Sequence, residues 1–254
     1  MVRDVWDVGD AYEAYVGRWS RRVAREFVTW LAVPRGGLWL DAGCGTGALS
    51  AAARESGAAR VLGVDPSLGF LRQNSGDRAA GDARALPLRD GRFDAVVSGL
   101  ALNFVPGPAR AAAEFARVAA PGGTVAAYVW DYAEGMTMMR LFWDAAAEAD
   151  PDGAMDEGTR FPLCRPDPLA ALWADAGLGE VAVRAVEVPT VFSGWDDYWQ
   201  PFLGGQGAAP AYLAGLDEQT RVALREALRR RVPVEEDGSI RLTARAWAVR
   251  GVRP

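Results

Sequence analysis

Residues 38–47, LWLDAGCGTG, constrain the fold of this chain more than any other stretch. An apolar run, Leu38, Trp39 and Leu40, ends in an acidic residue, Asp41, and then in alternate glycines, Gly43, Gly45 and Gly47. Ala48, Leu49, Ala51, Ala52 and Ala53 begin a helix, so the glycines sit in a strand-to-helix turn. Side chains would obstruct such a turn, whereas glycine lets a ligand approach the main chain directly. In an open α/β sheet this is the crevice beyond the carboxyl ends of the strands, where nucleotide-like ligands bind.

Two glycine fingerprints compete over these residues. Gly43-x-Gly45-x-x-Ala48 formally matches the dinucleotide fingerprint, whose last place tolerates alanine. Asp41 favours a different ligand. Two places before the first glycine, its carboxylate would repel a pyrophosphate but would face the amine and sulfonium of S-adenosylmethionine. A Walker-type loop is excluded because the chain has no lysine to reach the phosphates. A tight turn without any ligand is the remaining alternative.

The following segments supply the rest of an adenosine site. Residues 60–65, RVLGVD, form a second apolar run ending in Asp65, about twenty residues past the turn, where a strand-end carboxylate takes ribose hydroxyls. Pro66 and Ser67 start the next helix, so a helix cap is the other role open to Asp65. In DRAAGDARALPL, residues 77–88, Asp82 follows a short strand and precedes Leu86, Pro87 and Leu88. That combination suits an adenine, with a carboxylate for the exocyclic amine and leucines over the ring face; an ordinary turn beside Gly81 suits it equally. The β-branched run FDAVVSGLALNFV, residues 93–105, stops at Ser98 and Gly99, which puts the backbone of Ser98 to Leu100 under the centre of the cofactor. Residues 118–131, VAAPGGTVAAYVWD, read as a helix end, a Pro-Gly-Gly turn and a fifth strand.

With these motifs in order, residues 10 to 131 resemble a class I S-adenosylmethionine-dependent methyltransferase: DAGCGTG its first motif, GVD its acidic second-strand end, GDARALPL its adenine segment and APGGTV the turn before its fifth strand. The nearest resemblance is to the small-molecule branch that includes ubiquinone and menaquinone C-methyltransferases and natural-product tailoring enzymes. AYEAYVGRWS near the start, and DDYWQPFLGGQG with RAWAVRG near the end, resemble a bacterial subgroup within it. The resemblance implies a Rossmann-like, doubly wound seven-stranded α/β sheet with an antiparallel last strand and helical lid insertions. It also implies that Asp41, Gly43, Cys44, Gly45 and Gly47 line the methionine part of the cofactor, that Asp65, with Pro66 and Ser67 beside it, holds the ribose, and that Asp82 with Ala83 meets the adenine. Tyr15 and Arg18 belong to an N-terminal segment that closes over the methionine end; Arg18 either pairs the methionine carboxylate or is a plain surface arginine.

Composition narrows the rest. With 254 residues, half of them apolar, the chain can bury one large α/β core, and no apolar run approaches the length of a membrane span. The N-terminus MVRDVWDVGD lacks the apolar stretch of a signal peptide, and two cysteines, Cys44 and Cys164, are too few for a disulfide framework, so a reducing cytoplasm is expected. A formal net charge of −5 gives no electrostatic footprint for nucleic acid, and Arg229, Arg230 and Arg231 read as a solvated helix end. The expected partner is a small-molecule substrate, with neither nucleic acid nor membrane. Having no histidine and no lysine, the chain offers no histidine base, Ser-His-Asp triad, histidine-rich metal site or Schiff base. No metal is expected.

Taken as a whole, residues 1–254 read as a single domain: a capping helix at 10–35, a cofactor core at 36–131, and substrate or lid insertions at 132–168 and 193–235. Tyr12, Tyr15, Trp19, Val23, Phe27, Trp30 and Leu31 recur at helical steps over 12–32. Helices are predicted at 135–149 and 169–177 around a loop at 150–168, and the last two strands at 180–192 and 239–250. Between those strands, Trp195, Tyr198, Trp199 and Phe202, with Met136, Met139, Phe142, Trp143 and Phe161, either wall an apolar pocket under a lid hinged at Gly204, Gly205 and Gly207, or glue helices to the sheet. Asn103, Asp131 and Tyr132, just past the fourth and fifth strands, are the polar residues placed to orient or deprotonate a substrate. SGLALNF lacks the Asn-Pro-Pro-Tyr-type motif of enzymes that methylate adenine or glutamine nitrogens. The leading reading is methyl transfer to a small, largely apolar metabolite. A protein that binds the same cofactor without transferring methyl, and a nicotinamide-dependent oxidoreductase, are the alternatives.

Overall fold

The computed structural model of the protein describes residues 17–153, 156–204 and 207–254. Set beside the single domain expected over 1–254, its contacts resolve two compact units. The core unit holds Ser20–Trp130, Pro162–Val186 and Ala246–Pro254; the second unit holds Asp131–Phe161 and Glu187–Arg245, with the residues up to Trp19.

Seven strands form one sheet: β1 Leu38–Ala42, β2 Arg60–Asp65, β3 Asp77–Ala80, β4 Phe93–Gly99, β5 Ala119–Trp130, β6 Gly179–Phe192 and β7 Ile240–Val252, in the order β3-β2-β1-β4-β5-β7-β6. The first five pair in parallel, and β7 runs antiparallel to β5. This is the doubly wound α/β sheet with an antiparallel last strand that the resemblance implies. Strand order reverses between β1 and β4, which opens the crevice at their carboxyl ends. Lying between β2 and β4, strand β1 is buried on both faces, which is why Leu38–Ala42 reads as a continuous apolar run broken only by Asp41.

The described α-helices are α1 Arg18–Leu31, α2 Ala48–Ser56, α3 Leu68–Gln73, α4 Pro108–Val118, α5 Thr137–Ala149, α6 Glu157–Arg160, α7 Pro166–Asp175, α8 Trp195–Trp199, α9 Ala208–Gly215 and α10 Glu218–Arg231. Of the helix predicted over 12–32, the part before residue 17 lies outside the described residues. In the core unit the apolar stripe of α1 packs on the sheet, Val23 and Phe27 being fully buried and the Phe27 ring 4.7 Å from that of Tyr128.

Two predicted boundaries shift, each for a local reason. The expected Pro-Gly-Gly turn lies within β5: Phe93 pairs with Ala119 but Ala95 pairs with Thr124, so residues 120–123 bulge, with Gly122 at a left-handed φ of 76°. Helix α7 starts at Pro166 rather than at 169, because proline at a first helical position loses no needed N–H. The expected 150–168 loop thus contains α6 and a 3-10 turn, Pro162–Cys164. Trp173 of α7 anchors this part of the chain to the core unit by donating its indole N–H to the Val125 carbonyl at 2.8 Å, both residues being fully buried.

Trp173→Phe keeps an aromatic ring but leaves that buried carbonyl without its indole donor. Chemical denaturation should show a loss of about 1–3 kcal/mol.

Candidate cofactor and acceptor site

The turn after β1 is left-handed at every glycine, with φ of 79° at Gly43, 49° at Gly45 and 95° at Gly47. Gly43 N and Cys44 N both donate to the Val64 carbonyl, at 2.7 and 3.2 Å, which closes the turn onto β2. A Cβ on Gly43 would lie 2.5 Å from the Ala101 Cβ, whereas one on Gly45 would have no atom within 4 Å. One glycine makes room for the protein, and the other faces open space. The Cys44 thiol rests against Gly63, where a Cβ would sit 2.7 Å from its sulfur. Burial, with Asp41 and Asp65 nearby, pushes this thiol's pKa up and keeps it neutral. Asn74 latches the turn from outside: its Nδ2 donates to Cys44 Sγ and to the Gly45 carbonyl, both at 3.4 Å.

Asp41 is fully buried. Ser50 Oγ of α2 donates to its Oδ2 at 2.6 Å, while Oδ1 has no hydrogen-bond partner. Loss of hydration, with a smaller contribution from the neighbouring Asp65 charge, raises its pKa to about 7 against the opposing Ser50 hydrogen bond. Asp65, also buried, accepts from Gly45 N through Oδ2 at 2.9 Å and from Ser67 N through Oδ1 at 2.8 Å. The cap of α3 is Ser67, whose Oγ accepts from Phe70 N at 3.3 Å, so the helix-cap role falls to Ser67 rather than Asp65. Pro66 beside it is exposed.

Asp82 is paired within its own segment. Arg84 clamps its carboxylate, with Nε 3.0 Å from both oxygens and Nη2 2.6 Å from Oδ2, and this holds its pKa down at about 2. The segment folds back as an Asp82–Ala85 bridge, as the turn alternative requires, with Ala83 buried. Ser98 is buried, Leu100 takes φ 60° and donates its N–H to the Tyr128 carbonyl at 2.8 Å, and a Cβ on Gly99 would stand 2.6 Å from the Tyr128 hydroxyl. Asn103 sits in the 3-10 turn Leu102–Phe104 with a buried Oδ1 that has no partner. Tyr15 and the side chain of Arg18 lie outside the described residues. One turn further along α1, Arg21 and Arg25 line a cleft of about 260 Å³ with Thr46, Gly47, Arg54 and Asn74, beside the glycine turn.

Asp131 and Tyr132 belong to the second unit. Asp131 is no free base: Arg245 donates to its Oδ2 from Nε and Nη2, both at 2.7 Å, and Glu134 N donates to Oδ1 at 2.9 Å. Tyr132 is buried with its ring 5.6 Å from Phe161. The aromatics expected to wall a pocket are interior packing of this unit. Tyr198 and Phe202 are fully buried, Phe142 and Phe202 stack at 4.6 Å, and Tyr198 donates its hydroxyl proton to the Met138 carbonyl. Arg229 and Arg225 lie over the stacked rings of Trp195 and Trp199. Of the expected hinge, Gly205 lies outside the described residues.

A family profile described as a methyltransferase domain matches residues 40–127. The chain is 44% identical over 92 residues to malonyl-[acyl-carrier protein] O-methyltransferase of Pseudescherichia vulneris, covering 34% of this chain and 36% of that one. It is 35% identical over 179 residues to demethylmenaquinone methyltransferase of Roseiflexus castenholzii, covering 61% of this chain and 73% of that one. The chain belongs to the class I S-adenosylmethionine-dependent methyltransferases. It spans little more than a third of the length of the first relative and nearly three quarters of the second. Among solved structures, the YcgJ protein of Bacillus subtilis has the same fold, with a TM-score of 0.59 at 16% identity over 91% of this chain and 98% of that one.

S-adenosylmethionine is the methyl donor of this family, and the residues of the turn suit it. Two buried carboxylates, one with an unpartnered oxygen, make a site that a cationic ligand would compensate, and a Cβ on Gly45 would have no atom within 4 Å. Ser50, Asn74 and Ala101 shape this turn yet escape the sequence pattern. Only the hydroxyl of Ser50, in the first turn of α2, carries a local signal; the other two arrive through tertiary packing.

Two outcomes follow from the carboxylates. Unfolding ionises Asp41 near 3.8, whereas the native group ionises near 7, so between these values the unfolded chain binds fewer protons and stability falls as pH rises. Thermal melts from pH 4 to 8 should show a shallower fall in Asp41→Asn than in the wild type, by up to about 1.4 kcal/mol per pH unit. Arg245→Ala removes the guanidinium from the buried Asp131 carboxylate and should cost about 3–5 kcal/mol in denaturant unfolding.

Proposed function

We propose that this chain transfers the methyl group of S-adenosylmethionine to a small, largely apolar metabolite. The observation that carries the reading is the turn after β1, where an unpartnered oxygen of the buried Asp41 lies beneath glycines held left-handed. Asp41 and the Gly43, Cys44, Gly45 and Gly47 main chain would hold the cationic methionine part. Its carboxylate would meet the arginines of α1, either Arg18 or those of the cleft beside Thr46. Asp65, with Pro66 and Ser67, would take the ribose hydroxyls. Ala83, with Asp82 and its clamping Arg84, would border the adenine, and the backbone of Ser98, Gly99 and Leu100 would lie under the centre.

When bound, the cofactor supplies a methyl group activated by its sulfonium. The protein's part is largely positioning, which contributes on the order of 7–11 kcal/mol when two reactants are held in near-attack geometry. Asn103, with its unpartnered buried oxygen, suits an orienting role; Asp131, committed to Arg245, suits none. The two relatives are named for malonyl-acyl carrier protein and demethylmenaquinone. A carboxylated thioester and a naphthoquinol are therefore the acceptor classes to supply first.

Calorimetry should show binding of S-adenosylmethionine and S-adenosylhomocysteine, and Asp65→Ala should weaken both at least about tenfold by leaving two hydroxyls unpaired at roughly 1–3 kcal/mol each. Binding of NAD with no binding of either adenosyl ligand would overturn the reading.

A further inference from the structure

Asp41 and Asp65 both belong to the core unit and share one face of its sheet. The register sets Asp41 of β1 opposite Gly63 of β2, two residues before Asp65, so the side chains of 41 and 65 point to the same side with none from β2 between them. The Cys44 thiol fills the space over Gly63, and Asn74 at the end of α3 donates to that thiol. Hydrogen-bond donors reach the two acids unequally. Asp65 accepts main-chain N–H groups from Gly45 and Ser67, whereas Asp41 accepts one hydroxyl proton, from Ser50, and its buried Oδ1 has no partner.

The charges around Asp41 do little to favour its anion. Asp65 on β2 opposes ionisation, and Arg54 of α2, exposed at the surface, favours it only weakly. The Cys44 thiol beside it stays neutral, and β4 sets the apolar Val97 opposite on the other flank. Arg21 and Arg25 of α1 line the cleft beside the turn, where Arg25 is ion-paired with Glu55. A fully buried carboxyl with one hydroxyl donor, an orphaned oxygen and a second acid nearby is held at lower cost with its proton than without it. A cation placed against it reverses that preference, because the anion then has a partner.

We propose that Asp41 is a proton-linked cation site: it carries a proton when no cofactor is bound, gives it up as the cationic part of S-adenosylmethionine enters, and Ser50 sets the pH at which this happens. The inference rests on the methyl-transfer reading above. The Asp41 O–H bond breaks with its electron pair left on the carboxylate oxygen, the proton passes to water or buffer, and the anion faces the cofactor's charge while the cofactor keeps its own protons. The ionisation range agrees with this role, burial raising the Asp41 pKa to about 7 against the Ser50 hydrogen bond. Protonated Asp41 must ionise before the pair forms, so cofactor affinity rises with pH up to that value and levels off above it. Ser50 acts only through Asp41 and is a positioning residue.

Calorimetric titration with S-adenosylmethionine and with S-adenosylhomocysteine, from about pH 5.5 to 7.0 in paired buffers of different ionisation enthalpy, counts the protons released; the ligands' α-amino groups, with an ordinary pKa of about 7.7–8.0, stay charged over this range. The wild type should release about one proton per cofactor at the acid end and about half a proton at the other, its Kd tightening roughly 15-fold between them. Release with both ligands assigns the ammonium as the partner cation, and release with S-adenosylmethionine alone assigns the sulfonium; either supports the proposal. Asp41→Asn should release no proton and bind with a Kd that is flat across the range. Ser50→Ala, which loses the bond that favours the anion, should move the midpoint to higher pH and still release close to one proton at neutral pH. A wild type whose Kd is flat and whose heats match in the paired buffers overturns the proposal, a result read without either variant. So does an Asp41→Asn protein that still releases a proton, and an unmoved midpoint in Ser50→Ala overturns the part given to Ser50. In each of these cases the methyl-transfer reading still stands; a wild type that binds neither ligand overturns that reading itself.

Discussion

The glycine turn of this protein is organised around one costly group, the carboxylate of Asp41 buried at the carboxyl end of β1. Its hydrogen bond from Ser50 ties β1 to the first turn of α2. The carboxylate of Asp65, one strand away, reaches back to Gly45 N and so ties β2 to the same turn. Between them the Val64 carbonyl accepts from Gly43 N and Cys44 N. Every link forces the backbone into dihedrals that only glycine adopts without strain, so the alternate glycines are a consequence of holding two acids close together in a medium of low dielectric.

The raised Asp41 pKa records chiefly its loss of hydration, with repulsion from the Asp65 charge adding to it. A ligand carrying positive charge relieves that repulsion, and binding energy and the strain of the free site are then two sides of one interaction. A pyrophosphate would add to the repulsion. The electrostatics of the turn thus agree with the family to which the chain belongs and disagree with the dinucleotide fingerprint that its spacing also permits.

The second unit treats its buried carboxylates in two ways. Asp131 is neutralised by Arg245, which also reaches Glu134 at 3.3 Å and Glu187 at 3.7 Å, so three separate stretches of chain meet at one guanidinium. Glu157 has an indole instead. The aromatics that look like a lid in the sequence, Tyr198 and Phe202 among them, are instead buried against one another.

The strand-turn-helix at 38–56 and the acidic end of β2 were legible from the sequence, because each follows from local rules, apolar runs and glycine at positive φ; the sheet with its antiparallel last strand came only from the family resemblance. The glycines and Asp41 had to lie in one turn because they are neighbours in the chain. Partnership was not legible in the same way. Nothing near residue 131 announces Arg245, 114 positions away, as the group that occupies Asp131. Asp82 reads equally as adenine acceptor or turn until Arg84 is seen folded onto it. The sequence determined which residues carry charge and where the backbone must turn; tertiary packing alone decided which charges are compensated, because burial and pairing depend on groups that meet only once the chain is folded.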